Sequence, residues 1–158
     1  MKKFLLTTIL SAALTGAFAQ IDSTAPFHYS TDDYDCAIFP ASYTDFVEST
    51  GKRFTPGFTD IKKAEHTLAE QLLQQKDTTK RLAEINRHLK KYKRQYFGYI
   101  GKDGHKMLYI NLFWDDKSYV KDWLKDIIRV DGGGSSYWHI RYDLDADKLS
   151  GLEINFDE

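Results

Sequence analysis

Cysteine is almost absent from this chain. Cys36 is the single cysteine among 158 residues, so no disulfide can form within the chain and packing alone must hold the fold. A lone cysteine is most often a small buried apolar residue. Pairing between two chains and a reactive thiol stay open as alternatives, although a nucleophilic Cys36 would need a histidine brought close to it in space.

The chain also lacks an excess of charge of one sign. Its formal net charge is −1 at pH 7, and removal of Lys2 and Lys3 with a leader would make it −3, so net charge indicates no particular partner. The range 80–94 carries seven basic residues and one acidic residue, whereas 115–158 carries eleven acidic and six basic residues. No nucleic-acid-binding motif accompanies the basic range. We therefore expect the two ranges to balance each other, with no nucleic-acid partner.

A long apolar run occurs only at the N-terminus. Two lysines precede the apolar range 4–18, and Ala17-Phe18-Ala19 has the small-x-small pattern of a cleavage site. We expect residues 1–19 to be a signal peptide cleaved between Ala19 and Gln20, and the mature chain to be exported to the periplasm or the medium. Retention as an N-terminal anchor is the weaker alternative, because the run is short for a membrane span. We expect no membrane span after cleavage.

Motifs of the common enzyme classes are missing. The Gly132-Gly133-Gly134 run lies between two strand patterns and precedes no Lys-Ser/Thr pair, so it predicts a hairpin turn rather than a phosphate loop. The chain has no Gly-x-Ser-x-Gly nucleophile elbow. His66 and Glu70, four residues apart, could form half of a metal site, but no His-Glu-x-x-His motif or cysteine pair completes it. We expect no catalytic residue and no cofactor.

Alternating acidic residues near the C-terminus resemble the start of a calcium-binding loop. Asp143, Asp145 and Asp147 match the first three ligand positions of an EF-hand loop, which alternate along the chain. Lys148 and Ile154, however, occupy the positions where that loop requires Gly and Glu. An acidic, solvated turn is therefore the prediction, and a loose calcium site is the alternative. We predict no metal-binding residue.

The first half of the chain predicts a lead-in followed by helices. Residues 20–35 are polar and rich in Ser, Thr and Asp, which favours a mobile lead-in to a single domain at 36–158. A helix over about 60–76 is predicted, with Thr59 as its N-cap. Its apolar residues recur at helical spacing: Ile61, Ala64, Leu68 and Leu72. A second periodic range reaches about Lys93, and the sequence does not choose between one kinked helix and two.

The second half predicts antiparallel strands. Two strands flank a tight turn at 101–104, and Gly98 in the first indicates close approach of a backbone or helix. One face of the second strand is apolar and is expected to be core: Leu108, Ile110, Leu112 and Trp114. Three further strands are predicted near 127–130, 136–144 and 152–156. The predicted class is α+β, a helical layer packed on an antiparallel sheet of four to five strands.

The face of the sheet turned away from the helices is the predicted binding surface. Tyrosine rings, basic groups, a carboxylate and amides would lie together there, a mixture that suits a polar ligand or a protein partner. The predicted binding residues are Tyr99, Tyr109, Asn111, Tyr137, His139, Arg141 and Glu153, with Asn155 beside them. An ordinary solvated sheet face is the alternative.

The order of helix and strands over about 55–156 resembles the cystatin-like and NTF2-like α+β folds. The C-terminal pattern is also similar to small exported bacterial proteins of uncharacterised function: Asp131-Gly132-Gly133, Tyr137-Trp138 and Tyr142-Asp143-Leu144. Gln95-Tyr96-Phe97-Gly98 departs from the Gln-x-Val-x-Gly hairpin of cystatin inhibitors, and no Pro-Trp pair occurs. The resemblance therefore implies the fold and does not support protease inhibition.

Three functions are consistent with these patterns. The first is an exported, non-enzymatic binding or interaction module that uses the outward face of its sheet. The second is a small periplasmic enzyme or ligand carrier with a pocket between helix and sheet, using His139 and Glu153. The third is an assembly component that forms a homodimer through its sheet. The partner would be an unidentified protein or a small polar ligand.

Overall fold

A computed structural model describes residues 24–45, 52–76, 81–114 and 120–157. The predicted signal peptide lies outside the described residues. These ranges contain seven strands and two helices: β1 Phe27–Ser30, β2 Asp35–Phe39, β3 Arg53–Phe54, α1 Phe58–Gln71, α2 Leu82–Arg87, β4 Lys93–Ile100, β5 Lys106–Phe113, β6 Tyr137–Asp143 and β7 Lys148–Ile154. A 3₁₀ turn follows α1 at Leu72–Gln74, another follows α2 at Leu89–Lys91, and another precedes β6 at Gly134–Ser136.

The strands form one open sheet in the order β1-β2-β4-β5-β6-β7, and β3 pairs with β4 beyond the end of β2. The predicted α+β class with a mostly antiparallel sheet is confirmed, but the predicted number of strands is too low. Strands β1 and β3 have only four and two residues, too few for an alternating pattern to be recognised. Strand β1 also lies in the stretch predicted as a lead-in.

One strand pair departs from the antiparallel prediction. β2 and β4 are parallel, with Asp35 opposite Lys93 and Phe39 opposite Phe97. Parallel neighbours need a long crossover connection, and here the chain between them contains β3 and both helices. The range 127–130, predicted as a strand, has no strand structure.

The first helix begins earlier than predicted and the helical range is divided in two. Gly57 is the N-cap of α1, and its N–H donates to Asp60 Oδ2 at 2.9 Å, so the predicted cap at Thr59 is wrong by two residues. The predicted apolar stripe of this helix is buried throughout. α1 ends at Gln71 and α2 begins at Leu82, which selects two helices over one kinked helix.

The sheet is covered on both faces. The helices pack on one face against Leu108, Ile110 and Leu112, as predicted. On the opposite face a second apolar cluster forms where residues 120–130, here called the covering segment, lie over the sheet. Trp123 is its largest contributor. Trp114, predicted with the core, lies just beyond the end of β5 and is 37% exposed.

Candidate functional site

The covering segment buries much of the predicted binding face. Its apolar side chains pack against the tyrosines of that face, so this half of the sheet is closed to solvent. Four of the seven predicted residues are buried: Tyr99, Tyr109, Asn111 and Tyr137. The other three retain solvent-accessible side chains: His139, Arg141 and Glu153.

Two buried amides fasten the covering segment to the sheet. Gln95 donates from Nε2 to the carbonyl oxygens of Trp123 and Asp126, at 2.7 and 2.8 Å. Its Oε1 accepts from the Ile128 N–H at 2.9 Å and from Asn111 Nδ2 at 3.0 Å. Asn111 Nδ2 also donates to the Ile128 carbonyl at 2.8 Å. The role of Asn111 in this structure is therefore to hold a backbone segment.

The exposed remainder of the predicted face is a small charged group. Glu153 lies 3.4 Å from His139 Nε2 and 3.6 Å from Arg141 Nη2, so the structure does bring these three residues together. The His139 ring packs on the Tyr109 ring at a centroid distance of 4.9 Å. Asn155 turns elsewhere and donates to the carbonyl oxygens of the turn at 130–132.

A pocket of about 340 Å³ opens on the other side of the sheet, and we call it the helix-side pocket. It lies between α1, the 3₁₀ turn after α2 and the turn that joins β1 to β2. Its volume falls at the lower end of the range of small-molecule sites. Glu65 and Arg94 form its floor. Tyr34, Ala69 and Leu89 form its walls. Asp33, His66 and Lys90 surround its mouth.

A buried ion pair forms the floor of the helix-side pocket. Arg94 Nε lies 2.7 Å from Glu65 Oε1, and the side chains are only 1% and 10% exposed. The contact is an ion pair rather than a well-aligned hydrogen bond. The Tyr96 hydroxyl donates to the same Oε1 atom. Arg94 also donates to the carbonyl oxygens of Tyr92 and, at 3.0 Å, Leu89, which fixes its guanidinium.

The second carboxylate oxygen of Glu65 receives no hydrogen bond from the described part of the chain. Neither Arg94 nor Tyr96 reaches Oε2, and no other residue in the described ranges donates to it. Burial raises the pKa of the Glu65 carboxyl, while Arg94 and Tyr96 act in the opposite direction. A carboxyl with a perturbed pKa at the base of a concavity is a common mark of a functional site.

An ion pair crosses the mouth of the helix-side pocket. Lys90 Nζ lies 2.6 Å from Asp33 Oδ1, joining the 3₁₀ turn to the β1–β2 turn. The Lys90 hydrogen bond lowers the pKa of the Asp33 carboxyl. His66 is exposed beside them and lies 3.3 Å from Glu70. Both mouth groups are well solvated, so their pairing restricts the opening without closing it.

A larger groove of about 510 Å³ runs along the covering segment. It is shallow and lined by residues of that one segment: Asp122, Asp126 and 127–130. Its arginine is already engaged, since Arg129 Nη1 lies 3.0 Å from Asp45 Oδ2. No buried charged side chain lines this groove within the described ranges, so the helix-side pocket is the better candidate.

The acidic turn predicted near the C-terminus serves mainly to join elements. Asp147 accepts from the Thr67 and Tyr142 hydroxyls at 2.8 and 2.6 Å, which ties the turn to α1. Asp143 Oδ2 lies 2.8 Å from His105 Nδ1. Within the described ranges, Asp103, His105 and Asp143 are the group whose potential ligand atoms lie within 4.8 Å of one another. The hydrogen bond between the last two accounts for their proximity.

Sequence reasoning missed the floor of the helix-side pocket, although a signal was present. Arg94 precedes Tyr96 by two residues and therefore shares its core-facing side of β4. Glu65 is four residues after Ile61 and three before Leu68, on the apolar face of α1. Opposite charges at two core-facing positions indicate a buried ion pair.

No protein-family model matches the chain, and no curated protein or solved structure matches it significantly. Within the described residues, the helices are too short and too polar to cross a membrane.

Proposed function

We propose that this protein is an exported, non-catalytic carrier or binding protein that holds a small polar ligand in the helix-side pocket. The predicted signal peptide supports the export, and the pocket supports the binding role. The proposal corresponds to the pocket expected from the sequence, with Glu65 and Arg94 in place of His139 and Glu153.

The Oε2 oxygen of Glu65 carries this proposal. Glu65 lines a pocket with room for a small molecule, and the contacts of Arg94 and Tyr96 are with its other carboxylate oxygen. A ligand that donates to Oε2 would form a charge-assisted hydrogen bond there in place of water.

The same geometry favours binding over catalysis. Catalysis by a serine, threonine or cysteine nucleophile needs one of these residues beside a base, and the described pocket lining contains none of them. The Tyr96 hydroxyl is committed to Glu65, and burial raises its pKa well above the usual range. Cys36 is buried, and burial raises the pKa of its thiol, so it stays protonated.

Blocking the pocket tests the proposal. Ala69 lines the pocket from the exposed side of α1, so Ala69→Trp should fill the opening without entering the core. Ala83→Trp, on the exposed side of α2 and away from the pocket, is the matched control. In ligand-observed NMR with a library of small polar fragments, we expect hits for wild type and the control and none for Ala69→Trp. Hits that survive Ala69→Trp would contradict the proposal.

The exposed half of the sheet face supports a second proposal, binding of a protein partner or a second copy of the chain. The observation behind it is the fixed charged group: Glu153 accepts contacts from His139 and Arg141, whose side chains share one face of β6. His139→Ala combined with Arg141→Ala should leave thermal stability nearly unchanged and abolish any self-association seen by light scattering. A monomer at high concentration would count against the homodimer.

A further inference from the structure

We propose that the ligand of the helix-side pocket is an uncharged molecule that offers an N–H or O–H donor to Glu65 and places an apolar body against the pocket walls. This inference rests on the proposed function, since it specifies the ligand of the same pocket. Three features support it: the floor presents a hydrogen-bond acceptor, the floor and the mouth each carry no net charge, and the walls are largely apolar.

The floor presents an acceptor rather than a donor. The Arg94 side chain is 1% exposed, and its three nitrogens turn towards Glu65, Tyr92 and Leu89. Glu65 is more accessible, and its Oε2 is the atom for which the described part of the chain supplies no donor. A ligand that reaches the floor therefore meets a carboxylate oxygen, which requires a donor.

The floor carries no net charge. Arg94 already neutralises Glu65 at 2.7 Å, so a ligand ammonium would add an uncompensated buried cation. A ligand carboxylate would instead face the Oε2 atom of Glu65 and be repelled. Desolvating an unpaired ion is costly, whereas a neutral donor forms a charge-assisted hydrogen bond without that cost. The charge balance therefore selects a neutral group.

The mouth is balanced in the same way. Lys90 and Asp33 satisfy each other at 2.6 Å, so a charged ligand group would have to separate an existing pair. Both side chains are largely exposed, and water screens their residual field. The mouth therefore offers no strong attraction to either sign of charge.

The walls suit an apolar body. Tyr34, Ala69 and Leu89 supply a ring, a methyl group and a branched aliphatic chain between floor and mouth. Contact with these groups removes apolar surface from water on both ligand and protein. A compact ring that bears one neutral donor matches this arrangement of floor and walls.

Four matched probes test the inference: benzamide, benzyl alcohol, benzylammonium and benzoate. They share a ring and differ in whether the polar group is neutral, cationic or anionic. Each would be titrated into isotopically labelled protein, with binding located from the backbone amide shifts of Ala69 and Leu89. We expect the neutral probes to bind with Kd near about 1 mM, and the ions at least about tenfold more weakly.

Two variants assign the effect to the site. Glu65→Gln removes the carboxylate and leaves Arg94 unpaired, so the preference should invert towards benzoate. Because an unpaired buried arginine could prevent folding, Ala69→Trp provides an independent check. It should remove the shifts caused by the neutral probes, whereas Ala83→Trp should keep them.

The outcomes separate the two proposals. A charged probe that binds in the pocket as tightly as benzamide would overturn the ligand class and leave the binding role standing. If none of the four probes perturbs the pocket resonances of wild type, both proposals fail. Neutral probes that bind more tightly than the ions, with loss in Ala69→Trp, support both.

Discussion

Replacing Gln95 with alanine should loosen the covering segment and destabilise the whole protein. The side chain forms four hydrogen bonds in a region closed to solvent, with the carbonyls of Trp123 and Asp126, the N–H of Ile128 and the amide of Asn111. At about 0.5–1.5 kcal/mol for each bond, the expected loss is about 4 kcal/mol. A domain of this size has a free energy of unfolding of about 5–15 kcal/mol, so the loss is a large fraction of the total.

Urea unfolding followed by circular dichroism and tryptophan fluorescence would measure this loss. Trp123 lies in the affected cluster and reports on it directly. Gln74→Ala is the matched control, since that glutamine is exposed and makes a single long hydrogen bond of 3.3 Å. We expect the control to change the free energy of unfolding by less than about 0.5 kcal/mol.

A double-mutant cycle tests whether the two amides act as one unit. Asn111→Ala removes two hydrogen bonds and should cost about 2 kcal/mol. Because Gln95 and Asn111 share one of these bonds, the double variant should lose about 1 kcal/mol less than the sum. Limited trypsin digestion should also cut the covering segment of Gln95→Ala sooner than that of wild type. If Gln95→Ala lowered the free energy of unfolding by less than about 1 kcal/mol and left the digestion pattern unchanged, these hydrogen bonds would not be what holds the covering segment on the sheet.

Three further predictions concern other parts of the fold. Gly98→Ala would place a Cβ atom 2.5 Å from a carbonyl oxygen of β3, so urea unfolding should show a loss of about 1–3 kcal/mol. Arg94→Met should cost about 3–5 kcal/mol because it leaves the Glu65 carboxylate buried and unpaired, and adding Glu65→Gln should recover part of that loss. The hydrogen bond with Asp143 raises the pKa of the His105 imidazole above its ordinary value, so this contact stabilises the fold most at pH values below the pKa of the unfolded chain. The stability difference between wild type and His105→Gln should therefore shrink as pH rises through the folded pKa, and a difference independent of pH would contradict this.

The hairpin of β4 and β5 shows what local sequence can establish. Alternating side chains and the turn at 101–104 predicted the two strands, and the structure pairs Ile100 with Lys106 across that turn. Gly98 was predicted to admit a close backbone, and β3 occupies that place. The strands and their turn depend on neighbours within a few residues, so the sequence pattern contains them. The glycine indicated that something would approach closely but could not indicate that β3, more than forty residues earlier, would do so.

Features that depend on distant parts of the chain were harder to predict. Alternation in β5 showed that Tyr109 and Asn111 share a face, but it could not show that the range 120–130 folds over them. Strand β1 pairs with β2 through only four residues, and the polar composition of the surrounding range 20–35 favoured a lead-in. The likeness to cystatin-like and NTF2-like folds stays a prediction.

The proposed binding pocket could not be predicted for a different reason. The pair Glu65 and Arg94 belongs to no known sequence motif. It was detectable only by asking which charged residues occupy core-facing positions of a helix and of a strand. The 3.6-residue repeat of the helix and the two-residue repeat of the strand must be considered together, because neither element alone shows that a charged residue has a partner.

The parallel pairing of β2 with β4 has a consequence for the order of folding. β4 to β7 form a series of antiparallel neighbours along the chain, and the β4–β5 and β6–β7 turns are short, so these contacts close small loops. Asp35 meets Lys93 only after both helices have been made, which closes a much longer loop. The C-terminal strands are therefore expected to assemble first and to serve as the template on which β1, β2 and β3 dock. During synthesis from the N-terminus, β1 and β2 can pair only with each other until β4 has been made.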